Sequence, residues 1–147
     1  MAGSLLKNKR AMETFERRNL LSVGKNPDPR LDYVTSLSGQ MAEPGAHRHS
    51  SVVLRYVPDR LILDPSAFGR YLDAMGAVKW SSLEEAAATL LNDISNELVA
   101  RWVQVSISAP DGVYPGIASH DVLLEDRQPN WENAGLLSRL GHHRSDR

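Results

Sequence analysis

The chain has 147 residues, of which 41% are hydrophobic and 24% charged, with a formal net charge of −1 and no cysteine. A domain of this size buries about 68–70% of its unfolded surface and supports one core, while a charge near zero offers no field to hold a nucleic-acid backbone or an anionic membrane. The missing thiols exclude disulfides, thiolate metal sites and cysteine nucleophiles; with no membrane-length apolar run and no secretory signal at the start, the expected address is the cytoplasm.

Residues 4–22 place Leu5, Leu6, Met12, Phe15, Leu20 and Leu21 at helical spacing, which predicts an amphipathic helix. Asn26-Pro27-Asp28-Pro29 then breaks the pattern. This divides an N-terminal extension (1–25) from a body (26–128). Residues 129–147 carry a short helix over Trp131–Leu140 and a polar tail containing His142-His143, expected to be disordered. Within the body, Val52, Leu54 and Tyr56 alternate with Val53, Arg55 and Val57 as in a strand. Pro58-Asp59 is a turn, and Leu61-Ile62-Leu63 reads as a second strand or tight corner beside the first.

Asp64-Pro65-Ser66 starts a helix that runs from Ser66 to Met75 and stops near Gly76. A longer helix opens at Ser81-Ser82 and aligns Leu83, Ala87, Leu90, Ile94 and Leu98 on one face. Val103, Val105 and Ile107 then mark a strand with one wet face, Pro110-Asp111-Gly112 turns the chain, and Ile117–Leu124 is the last strand. The order is ββααββ. Strands and helices segregate, so the expected class is α+β, an antiparallel sheet with two helices on one side.

Several residues in this framework carry a family resemblance. Asn26-Pro27-Asp28-Pro29, Tyr33, Leu54-Arg55-Tyr56-Val57-Pro58-Asp59-Arg60, Tyr71-Leu72 and the glutamate opening the second helix resemble the 7-cyano-7-deazaguanine reductases of the queuosine pathway. Those enzymes belong to the tunnelling-fold superfamily, and the resemblance implies that fold, ring-shaped homo-oligomers and pockets between subunits. The N-terminal helix would then pack on a neighbouring copy. The family attacks a nitrile with a cysteine thiolate, handles the proton with an aspartate and takes hydride from NADPH. Counted without gaps, the cysteine position falls on Met41 and the aspartate on Arg48; with Thr35-Ser36-Leu37-Ser38 aligned instead, Ser38 stands at the cysteine. The cofactor-linked Glu-x-Lys-Ser matches Asp64-Pro65-Ser66-Ala67, with Ser66 and Gly69 where the family has lysines. Nitrile reduction is therefore not expected, and no cofactor is predicted.

What the resemblance retains is a ring anchor. The family's glutamate, which grips the amidine-like edge of a purine or pterin, matches Glu84, or Glu85 with the register slipped by one. A carboxylate suits such an edge because it accepts two parallel N–H bonds. Ser81-x-x-Glu84 and Ser82-x-x-Glu85 are equally capping boxes. Tyr71 and Trp80 flank the pocket expected there and can stack on a flat ring or belong to the core. Asp64 is a ligand group or a helix cap.

His47-Arg48-His49 lies just before the first strand, where residues i and i+2 of an extended segment face one way. The segment is similar to the His-Gly-His of the 6-pyruvoyl-tetrahydropterin synthases, another tunnelling-fold branch, and that similarity implies zinc on His47 and His49. The third histidine of that family has no counterpart before position 47. Either histidine is otherwise a loop residue or a general base. Arg48 and Arg55 can clamp an anion, although Arg55 is expected on a solvated face. His120-Asp121 is not a dyad, because strand neighbours point to opposite faces.

The expected function is a diverged tunnelling-fold enzyme acting on a purine-, deazapurine- or pterin-like heterocycle by non-covalent acid–base chemistry, with a home in specialised metabolism by analogy. Its candidate catalytic residues are His47, Arg48, His49 and Ser38. The alternative is a ring-shaped binding or scaffold protein without catalysis. Further alternatives are a zinc-dependent lyase like the pterin synthases and a residual NADPH-dependent reductase.

Overall fold

A computed structural model of the protein describes residues 15–42 and 49–140. Residues 4–14 of the expected N-terminal helix, His47, Arg48 and the tail with His142 and His143 lie outside the described residues; residues 15–19 are helical.

Four strands form an antiparallel sheet: Thr35–Ala42 (β2), His49–Val57 (β3), Trp102–Ser108 (β5) and Asp121–Arg127 (β6), in the order β2-β3-β5-β6. Val23–Lys25 (β1) and Leu61–Leu63 (β4) pair separately as a short antiparallel ribbon. Between β4 and β5 run Pro65–Gly76 (α1) and Leu83–Leu98 (α2), and a turn of helix, Ala134–Leu137 (α3), leads into a 3-10 turn at Ser138–Leu140. The main sheet and its two long helices give the order ββααββ, as expected. The leading hairpin is a correction, since its strands are β2 and β3 and not Val52–Val57 with Leu61–Leu63. Both flanks of β3 are taken, by β2 and β5, so the chain after the Pro58-Asp59 corner has to leave the sheet. It pairs with β1 instead, where the Leu63 N–H donates to the Tyr56 hydroxyl at 2.9 Å.

The register sorts side chains cleanly. Val52, Leu54 and Tyr56 face the same way as their partners Ile107, Val105 and Val103, and all six are buried. Helix α1 lies over β2, and α2 over β5 and β6, on this face. Phe68, Leu72, Met75, Leu90, Ile94 and Leu98 complete the core. The apolar positions recur every three or four residues along both helices, which is what lets each bury one stripe. The opposite face carries Ser36, Ser38, Gln40, Ser51, Ser106 and Ser108.

Arg55 departs from expectation. It occupies that helix-free face as predicted, but it is only 8% exposed and its Nη1 donates to Gln104 Oε1 at 2.8 Å. Its neighbours Val57 and Trp102 are fully buried on the same side, so this end of the face is closed to solvent. The last strand also starts later than expected, at Asp121, because Gly112 (φ 75°) and Gly116 (φ 84°) fold residues 110–120 into a loop. The C-terminal helix is shorter than expected. Trp131 and Asn133 are held out of it by Asp32, whose Oδ2 accepts from Trp131 Nε1 at 3.2 Å and Asn133 Nδ2 at 3.0 Å.

One interior group leaves no mark in the hydropathy pattern. Asp93, on the buried stripe of α2, is wholly inaccessible. Its carboxylate accepts from Arg17 Nε (2.9 Å), Arg18 Nε (2.6 Å) and the Tyr71 hydroxyl (2.6 Å). A buried carboxylate is tolerated only with such compensation. Here it fastens the N-terminal segment to the helix layer.

Candidate functional site

A cleft of about 410 Å³ opens where the β2–β3 hairpin, the α1–α2 connection and the β5–β6 loop meet. Met41 and Ser50 line it from the sheet, Gly76 and Lys79–Ser82 from the helix connection, and Tyr114 and His120 from the loop. Gly76 makes the meeting possible, because a Cβ there would fall 2.8 Å from the Ala42 nitrogen, closer than side chains approach a backbone. Trp80 is fixed on the wall by its indole N–H, which donates to the Met75 carbonyl at 2.8 Å.

The start of α2 decides which glutamate is available. Ser82 is the N-cap and accepts from the Glu85 N–H at 3.0 Å. Glu85 Oε1 reaches back to the Ser81 N–H (2.8 Å) and hydroxyl (2.7 Å). The capping box thus uses the Ser82-x-x-Glu85 register, and Glu85 is engaged in it. Glu84 is left outside the cap. Its Oε2 lies 3.2 Å from His120 Nε2 at the rim of the cleft, and the edge of the Tyr114 ring packs against that imidazole.

The Glu84 carboxyl is held below the ordinary carboxylate range, first by a hydrogen bond from its own backbone N–H and then by His120. Its folded pKa is lowered, so its contribution to stability is present above the unfolded value and lost as pH falls through the folded one. A carboxylate only accepts, so in this pair His120 Nε2 carries the hydrogen. A neutral imidazole then keeps Nδ1 as its basic atom.

The other expected site residues fall in different places. His49 and Ser38 are exposed on the helix-free face of the sheet, away from the cleft lining. On the ungapped count, by contrast, the family's cysteine position falls on Met41, which does line the cleft. Tyr71 is buried against Asp93, and that burial pushes its phenol pKa far above the usual value. Asp64 caps α1, accepting from the Ser66 N–H at 3.3 Å. Of the expected ring-binding residues, Trp80 lines the cleft, and Glu84 lies just outside the lining, in contact with the lining residue His120. His120 and Tyr114 join them without having been predicted. Among the described residues no group of three histidines, acids or cysteines could hold a metal ion. Nor is any helix among them long and apolar enough to cross a membrane.

Neither a protein-family model nor a curated protein matches the sequence. Among solved structures, the chain is similar to the apo form of the archaeosine synthase QueF-Like. The TM-score is 0.50 at 20% identity, and the match covers 65% of this chain and 92% of that one. At that identity the likeness speaks for the fold: an α+β chain of tunnelling-fold type, with two helices on one side of an antiparallel sheet.

Proposed function

We propose that the protein is a diverged tunnelling-fold enzyme that binds a purine-, deazapurine- or pterin-like ring in the cleft beside Glu84. The observation that carries this reading is the division of labour at the start of α2. Glu85 makes the cap, and Glu84 stands free of it as a stable carboxylate at the cleft rim. Such a group accepts paired N–H donors from an amidine-like edge. His120, oriented through Nε2, serves as the acid–base group in place of the sequence-derived histidines. The chemistry is not nitrile reduction by thiolate, because the chain has no cysteine. Among the described residues no strand pairs with the outer side of β2 or β6, which supports a homo-oligomer with the clefts near subunit boundaries.

Isothermal titration with pterin, guanine and 7-deazaguanine tests the reading. At least one ring should bind, and Glu84→Gln should weaken it about tenfold to a hundredfold, the worth of a hydrogen bond to a charged group. Lowering the pH should spare binding until Glu84 protonates, below the ordinary carboxylate range. His120→Gln should keep affinity and lose turnover. No binding of any of the three rings, or full affinity in Glu84→Gln, would refute the proposal.

A further inference from the structure

Trp80 on the cleft wall is held by more than its hydrogen bond. The Arg17 guanidinium lies over its ring, 5.8 Å from the centroid, and the ring packs against the hydrophobic core. Arg17 is itself nearly buried and donates through Nε to Asp93 Oδ2 at 2.9 Å. A planar guanidinium can make an in-plane bond with its edge while covering an aromatic ring with its face, which a lysine ammonium cannot.

We propose that Arg17 is a positioning residue for the cleft: it sets the Trp80 indole as the wall on which a flat heterocycle stacks. The N-terminal segment thereby completes the site without touching the ligand. This rests on the reading of the cleft as a ring-binding site. Trp80 lines the cleft and is only partly buried, so some of its ring surface is available there for stacking, the contact by which aromatic side chains hold nucleobases. The order of contacts runs Asp93, Arg17, Trp80, cleft. Arg18 and Tyr71 anchor the same carboxylate independently, so Asp93 stays compensated when Arg17 alone is changed.

The test uses the full chain labelled with 15N at its three tryptophans. Each gives one indole N–H signal, and Trp80→Phe identifies the one that belongs to position 80. Arg17→Lys retains a positive charge near Asp93 but removes the plane over the ring. It should shift and broaden the Trp80 signal while those of Trp102 and Trp131 stay in place. Affinity for pterin should fall about threefold to thirtyfold, the range of a partly desolvated cation–π contact. In a Trp80→Phe background the same lysine change should cost less, because the two residues act as a unit. An unmoved Trp80 signal in Arg17→Lys, or fully additive losses in the double variant, overturns the proposal. Arg17→Met repeats the measurement without the charge; should it unfold, the lysine variant decides. If the unaltered protein binds no pterin, guanine or 7-deazaguanine, the ring-binding reading fails, while the Trp80 signal still reports whether Arg17 positions the indole.

Discussion

Replacing Asp93 with alanine will destabilise the fold by about 3–5 kcal/mol, the usual loss when one partner of a buried ion pair is removed. The change leaves the nearly buried Arg17 and the hydroxyl of Tyr71 without their acceptor, and frees Arg18 as well. Domains of this kind are stable by about 5–15 kcal/mol in total, so the loss is a large fraction of the whole. Urea denaturation of the two proteins measures it, and a difference under about 1 kcal/mol would contradict the burial argument. The triple change Asp93→Leu, Arg17→Met, Arg18→Met should recover most of the stability, since an apolar replacement of a complete buried cluster is often neutral or better. The recovered protein should still lack the guanidinium over Trp80.

Gly76→Ala will have the second large effect, and its sign reverses seven residues earlier in the same helix. At Gly76 the new methyl would meet the Ala42 backbone, 2.8 Å from its nitrogen and 3.0 Å from its carbonyl carbon. Backbone cannot rotate aside, so the end of α1 must lift from β2 at a cost of about 1–3 kcal/mol or more. The cleft floor moves with it, so heterocycle affinity should fall too. At Gly69 nothing stands within 4 Å, and alanine there should stabilise the helix by about 0.5–1 kcal/mol. Thermal melts of both variants check the pair; equal shifts of the same sign would mean that the close approach at Gly76 is not tight.

Where a signal was local, the sequence revealed it. Helix α2 begins at Leu83 and ends at Leu98, the first and last of the residues that mark its apolar stripe. Strand β5 shows the alternation its sequence displays. Strand β2 did not announce itself, because its core-facing positions are Thr35, Leu37, Gly39 and Met41. Gly39 breaks the apolar alternation since Leu72 fills the space a side chain would need, 2.5 Å from where its Cβ would lie. β1 is three exposed residues with nothing to distinguish them from a loop.

The candidate site divides in the same way. Glu84 was legible from the helix-opening motif, but which of two glutamates makes the cap depends on backbone geometry, not on spacing. His120 lies 36 residues from Glu84 in sequence, and only the β5–β6 pairing brings it there, with the Ala109 N–H bonded to its carbonyl at 2.9 Å. Its sequence neighbour Asp121 plays no part in that encounter. His49 was expected just before a strand; the strand in fact begins at His49, and its parity turns that side chain to the helix-free face.

The Asp93 cluster also constrains the order in which the chain can assemble. Its two arginines come from 75 and 76 residues upstream, and closing such a loop costs entropy before any bond repays it. Until they arrive, Asp93 would enter the core with only the Tyr71 hydroxyl of its three donors. The helix layer and the N-terminal segment therefore form one cooperative unit, and folding waits on a long-range encounter. Removing residues 1–18 should leave α2 loosely seated, with amide protection falling first along the stripe that carries Asp93.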